Sequence, residues 1–361
     1  MNDRKTFVSQ VMSLFKGNLL HAFSQVLVIT LLTYFGGSES AGEYVLALSI
    51  TAPVFLFLDL NLRVVRATDQ DTDSQFWKYI ALRVVTLCVA IVVIYVIYIM
   101  FLETNVWILC SIVFYRIGES LSNLSYGAMQ RVQAGHSAGR SLVLKGLLTI
   151  IILSVIVPVS SGNALVTAIA MASVSLCWSI VWDLRRAFVL SSINIRKVGF
   201  LGIKRNINFQ DIFQLAKKSS PLGLDAGITS LALNAPKYFI EAWLGTEALG
   251  VFGLLWQLTY SMQKLIGAIG HAGVSRLAKY KFDDAREKFW RLLNKLVVST
   301  VLIGVFVVFF GTLILPWVLG HLLGPTYSST SVILALLVSS ALAGLFRIIG
   351  RAVQALSLIH I

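Results

Sequence analysis

The chain has 361 residues, 57% of them hydrophobic and only 13% charged, where a soluble domain carries about a quarter charged residues. Its mean hydropathy is +0.80, and 30 Lys and Arg against 17 Asp and Glu give a formal net charge of +13. A bilayer-crossing helix takes about 20 mostly apolar residues, and the chain offers such runs repeatedly. The composition excludes a soluble domain and predicts an all-α polytopic membrane protein. Membrane-barrel strands would be about ten residues long and alternate in polarity; these runs are apolar on all faces and about twice that length.

In chain order, residues 7–15 have apolar positions at helical spacing and read as an interfacial lead-in. Ten spans follow, at 14–35, 44–62, 80–102, 106–130, 141–159, 164–182, 221–244, 249–275, 292–319 and 331–358. The first is too long for a cleavable signal peptide and lacks a small-residue cleavage site. Six spans make an N-terminal lobe (1–182). Residues 183–220 form a basic connector whose tail, 211–218, reads as a short amphipathic helix, and four spans make a C-terminal lobe (221–361). With the N-terminus in the cytoplasm, 27 of the 30 basic residues fall on the inner side, Arg66, Arg83 and Lys145 among them. The other three, Arg116, Lys237 and Lys264, lie inside spans, and the outer loops receive none. This is the positive-inside pattern. It explains the basic excess as topology and excludes nucleic acid as its cause. Outer loops are too short to hold a folded domain. Cys88, Cys110 and Cys177 lie within spans and read as buried apolar cysteines, with neither a disulfide framework nor a metal site.

Ionisable groups inside a bilayer are costly and mark function by default. In span one, Asn18, His21 and Gln25 share one polar face that lines a cavity or bonds a neighbouring helix. Pro53 in span two and Pro236 in span seven are hinge candidates, since proline removes a backbone donor. Asp59 ends span two with Arg63 at i+4, the spacing of a helix-end ion pair. Arg116 and Glu119 are three residues apart in span four, close enough for an internal ion pair. Their roles are a cavity cation and a titrating carboxylate, or a structural pair. Asp225, between Gly223 and Gly227, is a candidate for a coupling cation. Asn234 and Lys237 flank Pro236, with Glu241 at i+4 as a partner. Lys264 has no acid at i±3 or i±4 and reads as a cavity cation. The D-x-D at Asp71–Asp73 has no nucleotide-binding domain around it and reads as a solvated loop. Gly267–Gly273 is helix packing rather than a phosphate loop.

One motif occurs twice. "YFGGSESAGEYV" joins spans one and two, and "AWLGTEALGVFG" joins spans seven and eight. At an offset of 208, Gly37 meets Gly245, Glu39 meets Glu247, Gly42 meets Gly250 and Tyr44 meets Phe252. Both halves begin inside, which describes a parallel repeat about an axis along the membrane normal.

"FGGSESAGEYVLALSITAPVFLFLDLNLR", "PLGLDAGITSLALNAPKYFIEAWLGTEALGVFGLLWQL" and "LLGPTYSSTSVILALL" occur in this order. Together they resemble the polysaccharide and O-antigen lipid-linked oligosaccharide flippases of the multidrug/oligosaccharidyl-lipid/polysaccharide exporter (MOP) superfamily. The resemblance implies two six-helix lobes around a cationic cavity. It implies alternating access that moves an undecaprenyl-pyrophosphate-linked oligosaccharide across the bacterial inner membrane for surface polysaccharide. The partners it implies are the lipid-linked glycan, membrane lipid and other polysaccharide-assembly proteins, with no cofactor, metal or enzymatic activity. Two lobes of six exceed ten spans, so the sequence is expected to lack at least spans eleven and twelve. Two other readings stay open: a multidrug or cation antiporter of the same superfamily, and a membrane glycan polymerase or glycosyltransferase. On the favoured reading Lys264→Ala impairs glycan export while membrane insertion stays intact; normal export by that variant removes Lys264 from the site.

Overall fold

The structure is a computed structural model. It describes the backbone of residues 2–68, 76–101, 105–132, 134–191, 209–282 and 285–357, and the side chains of 12–67, 76–100, 105–132, 134–191, 209–261 and 285–346. The described residues form ten helices and no strand: α1 (Asn2–Leu58), α2 (Leu62–Thr68), α3 (Phe76–Phe101), α4 (Val106–Arg131), α5 (Gly135–Val159), α6 (Ala164–Trp178), α7 (Arg185–Leu190), α8 (Phe209–Phe282), α9 (Arg286–Leu323) and α10 (Thr330–Ser357). A π-helical turn, Ser179–Leu184, joins α6 to α7. The expected all-α architecture is what the chain adopts.

Among the described residues, seven helical stretches are long and apolar enough to cross a membrane. Two of them, Met12–Ala67 and Phe209–Ser261, run past fifty residues because each contains two rods meeting at a single glycine, and the first also takes in α2. Gly37 has φ 78 and ψ 178, and Gly245 has φ 84 and ψ 176. Gly324, at the end of α9, repeats the conformation with φ 98 and ψ 172. A side chain is essentially excluded from this region of backbone space. The sequence repeat is therefore a conformational repeat. The chain turns on one glycine and is helical immediately on both sides, where the sequence reading had assigned several residues to each hairpin.

The helix α4 is not among the seven, since Arg116, Glu119 and four serines lower its hydropathy. It is nonetheless deeply packed, against α1, α2, α5 and α6. The outward faces are the reverse. Val92, Tyr95 and Ile99 on α3, and Phe306, Leu313 and Trp317 on α9, are each mostly exposed. Contiguous apolar surface of that kind suits lipid rather than water. Cys88, Cys110 and Cys177 are on this exposed surface, not buried as expected. Lipid is as apolar as the interior, so hydropathy does not separate the two positions.

The chain divides into two compact units, Met1–Gly250 and Val251–Ile361. In the first, Leu62, Phe76, Tyr79, Leu124 and Met129 form a core at the end of the bundle away from the glycine turns. Ile212, Leu215 and Ala216 of α8 pack on this core, and Asp211 bonds Lys78 at 2.9 Å. The amphipathic segment expected at 211–218 is thus the opening of α8. In the second unit, α9 and α10 lie side by side, Gly311 of α9 directly against Leu337 of α10.

Gly37→Ala and Gly245→Ala are each expected to destabilise the protein by about 1–3 kcal/mol. No neighbouring atom lies within 4 Å of a Cβ added at either position, so the loss is conformational and should be similar at both. Thermal unfolding in detergent measures it.

Candidate functional site

Two polar clusters lie inside the first unit, one on either side of α4. The first is built around Glu119. Its Oε1 is 2.5 Å from Lys145 Nζ of α5 and accepts from Ser175 Oγ of α6 at 3.2 Å. Its Oε2 is 3.7 Å from His21 Nε2 of α1. Ser175 gets this close because residue 118 is glycine: a Cβ there would lie 2.5 Å from Ser175 Oγ. The Lys145 ammonium, almost fully buried, also donates to Ser122 Oγ at 3.3 Å. Asp183 in the π turn is fully buried. It accepts from the Tyr126 hydroxyl at 3.3 Å and from the Ser141 hydroxyl, while Trp178 Nε1 donates to Ser141 Oγ at 2.8 Å. Four helices thus meet on groups that hydrocarbon would not tolerate singly.

The second cluster lies where α4 meets the second rod of α1. Arg116 Nη2 donates to the Leu48 carbonyl at 2.9 Å and Nε to Thr51 Oγ1 at 3.4 Å. Both acceptors are neutral. Close by, Pro53 lacks the N–H that would have bonded the carbonyl of Ser49. The Tyr238 hydroxyl of α8 donates to that carbonyl at 2.6 Å, so the chain satisfies the group its own proline exposes. Beside Tyr238, Lys237 Nζ donates to Asn234 Oδ1 at 2.9 Å. Arg116 and Tyr238 therefore converge on the stretch from Leu48 to Thr51, and Lys237 is the neighbour of Tyr238 in α8.

Several sequence expectations change. Arg116 and Glu119 do not pair: Glu119 turns to Lys145 and His21, and Arg116 to the opposite side of α4. Asp59 does not pair with Arg63. It holds Arg83 Nη1 at 2.7 Å and accepts from Ser120 Oγ at 3.0 Å, while Arg63 Nε donates to Gln130 Oε1 at 3.4 Å and its guanidinium lies over the Tyr126 ring. Of the polar face on span one, His21 reaches Glu119, and Gln25 Oε1 accepts from the Tyr115 hydroxyl at 3.4 Å. Asn18 bonds back to the Leu14 carbonyl. Glu241 accepts from the Thr246 hydroxyl at 2.8 Å. Asp225 is exposed and joins neither cluster, although Gly223 and Gly227 beside it pack on Phe57. The α8 helix continues through Pro236. Lys264 lies outside the described side chains.

Lys145, Arg83 and Asp183 were missed. All three sit near span ends, where the positive-inside count absorbed the two cations as surface charges and Asp183 was taken as the first residue of the connector. The signal that could have found Lys145 is its place within an otherwise apolar run, one residue before a glycine.

The described helices form a multi-pass membrane protein with the fold of solved MOP superfamily transporters. Over 97% of this chain it matches inward-facing and outward-facing structures of a multidrug resistance MATE family transporter of that superfamily. Each match has 16% identity, with TM-scores of 0.56 and 0.57 and coverage of 83% and 84% of that chain. A MOP superfamily transporter from Pyrococcus furiosus, described as having a binding pocket of reverse polarity that suggests a different function, matches with a TM-score of 0.55 at 16% identity. That match covers 97% of this chain and 84% of the other. No family model matches the sequence. Among curated proteins it is 25% identical over 329 residues to the capsular polysaccharide biosynthesis protein CapF of Staphylococcus aureus, covering 90% of this chain and 79% of that protein. The likeness to solved structures shows the MOP fold that the three motifs implied, and the sequence likeness is to a capsular polysaccharide biosynthesis protein.

Two outcomes test the clusters. Tyr238→Phe leaves the Ser49 carbonyl unbonded and is expected to destabilise by about 1–3 kcal/mol. Adding Pro53→Ala restores a backbone donor and should recover most of the loss in detergent melting. Lys145→Met strands a buried carboxylate and should cost about 3–5 kcal/mol, and pairing it with Glu119→Gln should return much of that stability.

Proposed function

We propose that this protein carries a lipid-linked oligosaccharide across the bacterial inner membrane by alternating access, for surface polysaccharide assembly. Its cavity cations hold the diphosphate linkage. The observation that carries this reading is the contrast between the two clusters. In the first, the carboxylate of Glu119 is neutralised by Lys145. In the second, Arg116 makes no ion pair among the described residues and bonds only neutral oxygens, with Lys237 next to Tyr238 in the same cluster. A planar guanidinium presents paired donors to phosphate oxygens, so the second cluster selects an anionic group. The capsular polysaccharide relative supports a glycan as cargo.

Under this proposal the lobes are residues 1–182 and 221–361, the connector 183–220 and the N-terminus are cytoplasmic, and the glycine turns face outward. Lys264 is a further cavity cation, while His21, Gln25 and Asn234 line or support the site. The multidrug or cation antiporter is disfavoured because the carboxylate such a pump would offer to a cation is already held by Lys145. Among the described residues no catalytic constellation argues for a polymerase or glycosyltransferase.

The test is complementation of a flippase-deficient strain for surface polysaccharide, with purified variants assayed for binding of the lipid diphosphate. Arg116→Ala is expected to lower affinity about ten- to a hundredfold, the equivalent of losing charge-assisted hydrogen bonds. Arg116→Lys should fall in between. Efflux of a cationic drug with no rescue of polysaccharide would overturn the reading.

A further inference from the structure

The first three turns of α9 carry charge on one side and a small core on the other. Phe289 and Leu296 are buried, with Leu292, Leu293 and Val297 packed against them. Arg286, Lys288, Arg291 and Lys295 are exposed, and the acid among them is Glu287. Lys288, Arg291 and Lys295 fall three and four residues apart, so they form one stripe. Glu287 bonds Arg291 at 2.5 Å, and both side chains stay largely exposed. Along the stripe lies a cavity of about 670 Å³, lined among the described residues by Glu287, Trp290, Arg291, Leu293, Asn294 and Val297. It is charged where α9 begins, at Glu287 and Arg291, and apolar about 15 Å further along the helix, at Val297. Trp290, on its wall, is 63% exposed.

We propose that this cavity holds an anionic phospholipid of the phosphatidylglycerol kind, its phosphate on the Arg291–Lys295 stripe and the start of an acyl chain along Leu293 and Val297. Charge complementarity selects the headgroup: from Arg286 to Val297 there are four bases and one acid, and cations beside an anionic leaflet each add to the attraction. The polarity gradient along the helix selects a lipid over a soluble anion. Free phosphate would meet the cations but has nothing to lay on Leu293 and Val297. An indole at position 290 suits the boundary between headgroups and acyl chains, and the volume lies within the usual range of ligand cavities. The same residues argue against the diphosphate cargo. Arg291 is already paired with Glu287, and the lysines are spaced point charges rather than a planar fork of donors. An exposed ion pair of this kind is weak, so a single phosphate can share Arg291 without displacing Glu287. Placement in the inner leaflet rests on the topology proposed above; the site itself does not.

The test uses the full chain in phosphatidylcholine vesicles containing phosphatidylglycerol brominated on its acyl chain, which quenches tryptophan on contact. Subtracting the emission of the matching Trp290→Phe protein leaves the signal of Trp290. Phosphatidylglycerol is expected to quench that signal with about a tenfold preference over phosphatidylcholine brominated in the same way. Arg291→Gln combined with Lys295→Gln should abolish the preference. Asn294→Phe fills the cavity at an exposed position without changing charge, and should abolish it as well. Lys217→Gln combined with Lys218→Gln removes two exposed cations from α8 and should leave it intact. Equal quenching by both lipids in the unaltered protein overturns the site. So does loss of the preference in the α8 variant, or its survival in Asn294→Phe, since either leaves only diffuse charge. Displacement of the brominated phosphatidylglycerol by one equivalent of an isoprenyl diphosphate overturns the phospholipid as occupant and gives the cavity to the cargo. The readout needs no transport, so an intact preference in a protein that fails to restore surface polysaccharide keeps this site and discards the flippase reading.

Discussion

A polar group inside hydrocarbon finds its partner in the protein or it is not tolerated, and most of this structure follows from that constraint. Buried hydroxyls bond the carbonyl one turn back: Thr33 to Ile29, Ser49 to Val45, Thr51 to Ala47, Thr149 to Lys145 and Thr259 to Leu255. The carbonyl that Pro53 would strand is taken by a tyrosine more than 180 residues along the chain. The least apolar span is therefore the one most enclosed by other helices, and α4 becomes the post on which the first unit is assembled.

Charge follows the same logic with a different outcome on each face of α4. Toward α5 and α6, acid and base are matched within the protein: Glu119 with Lys145, and Asp183 with a ring of hydroxyls and Lys145 beyond Ser122. Such a network fixes the mutual orientation of helices more than it adds net stability. Toward α1, among the described residues, Arg116 bonds neutral acceptors only. An arginine held this way keeps its capacity for an anion, and that asymmetry within one helix is the physical basis of the proposed cargo.

The internal repeat acts at three levels. It gives two sequence copies, two glycines in the same Gly-only backbone conformation, and a contact in which each copy treats the other identically. The third level was invisible in the sequence. A glycine in a hairpin reads as turn geometry, and nothing local distinguishes Gly37, which bends the chain, from Gly42, which admits another backbone.

Hydropathy determined the helical, membrane-spanning class, because lipid imposes length and polarity on each segment independently of its neighbours. The motifs pointed to the fold for the same local reason. The tertiary structure alone decided which charges meet. Arg116 and Glu119 are neighbours in sequence yet face apart, while Lys145 and Arg83, counted as surface charges, are buried against Glu119 and Asp59. Helical spacing tells which residues share a face of one helix. It does not tell which helix lies across from that face, and inside a membrane the partner across the interface sets the cost of every charge.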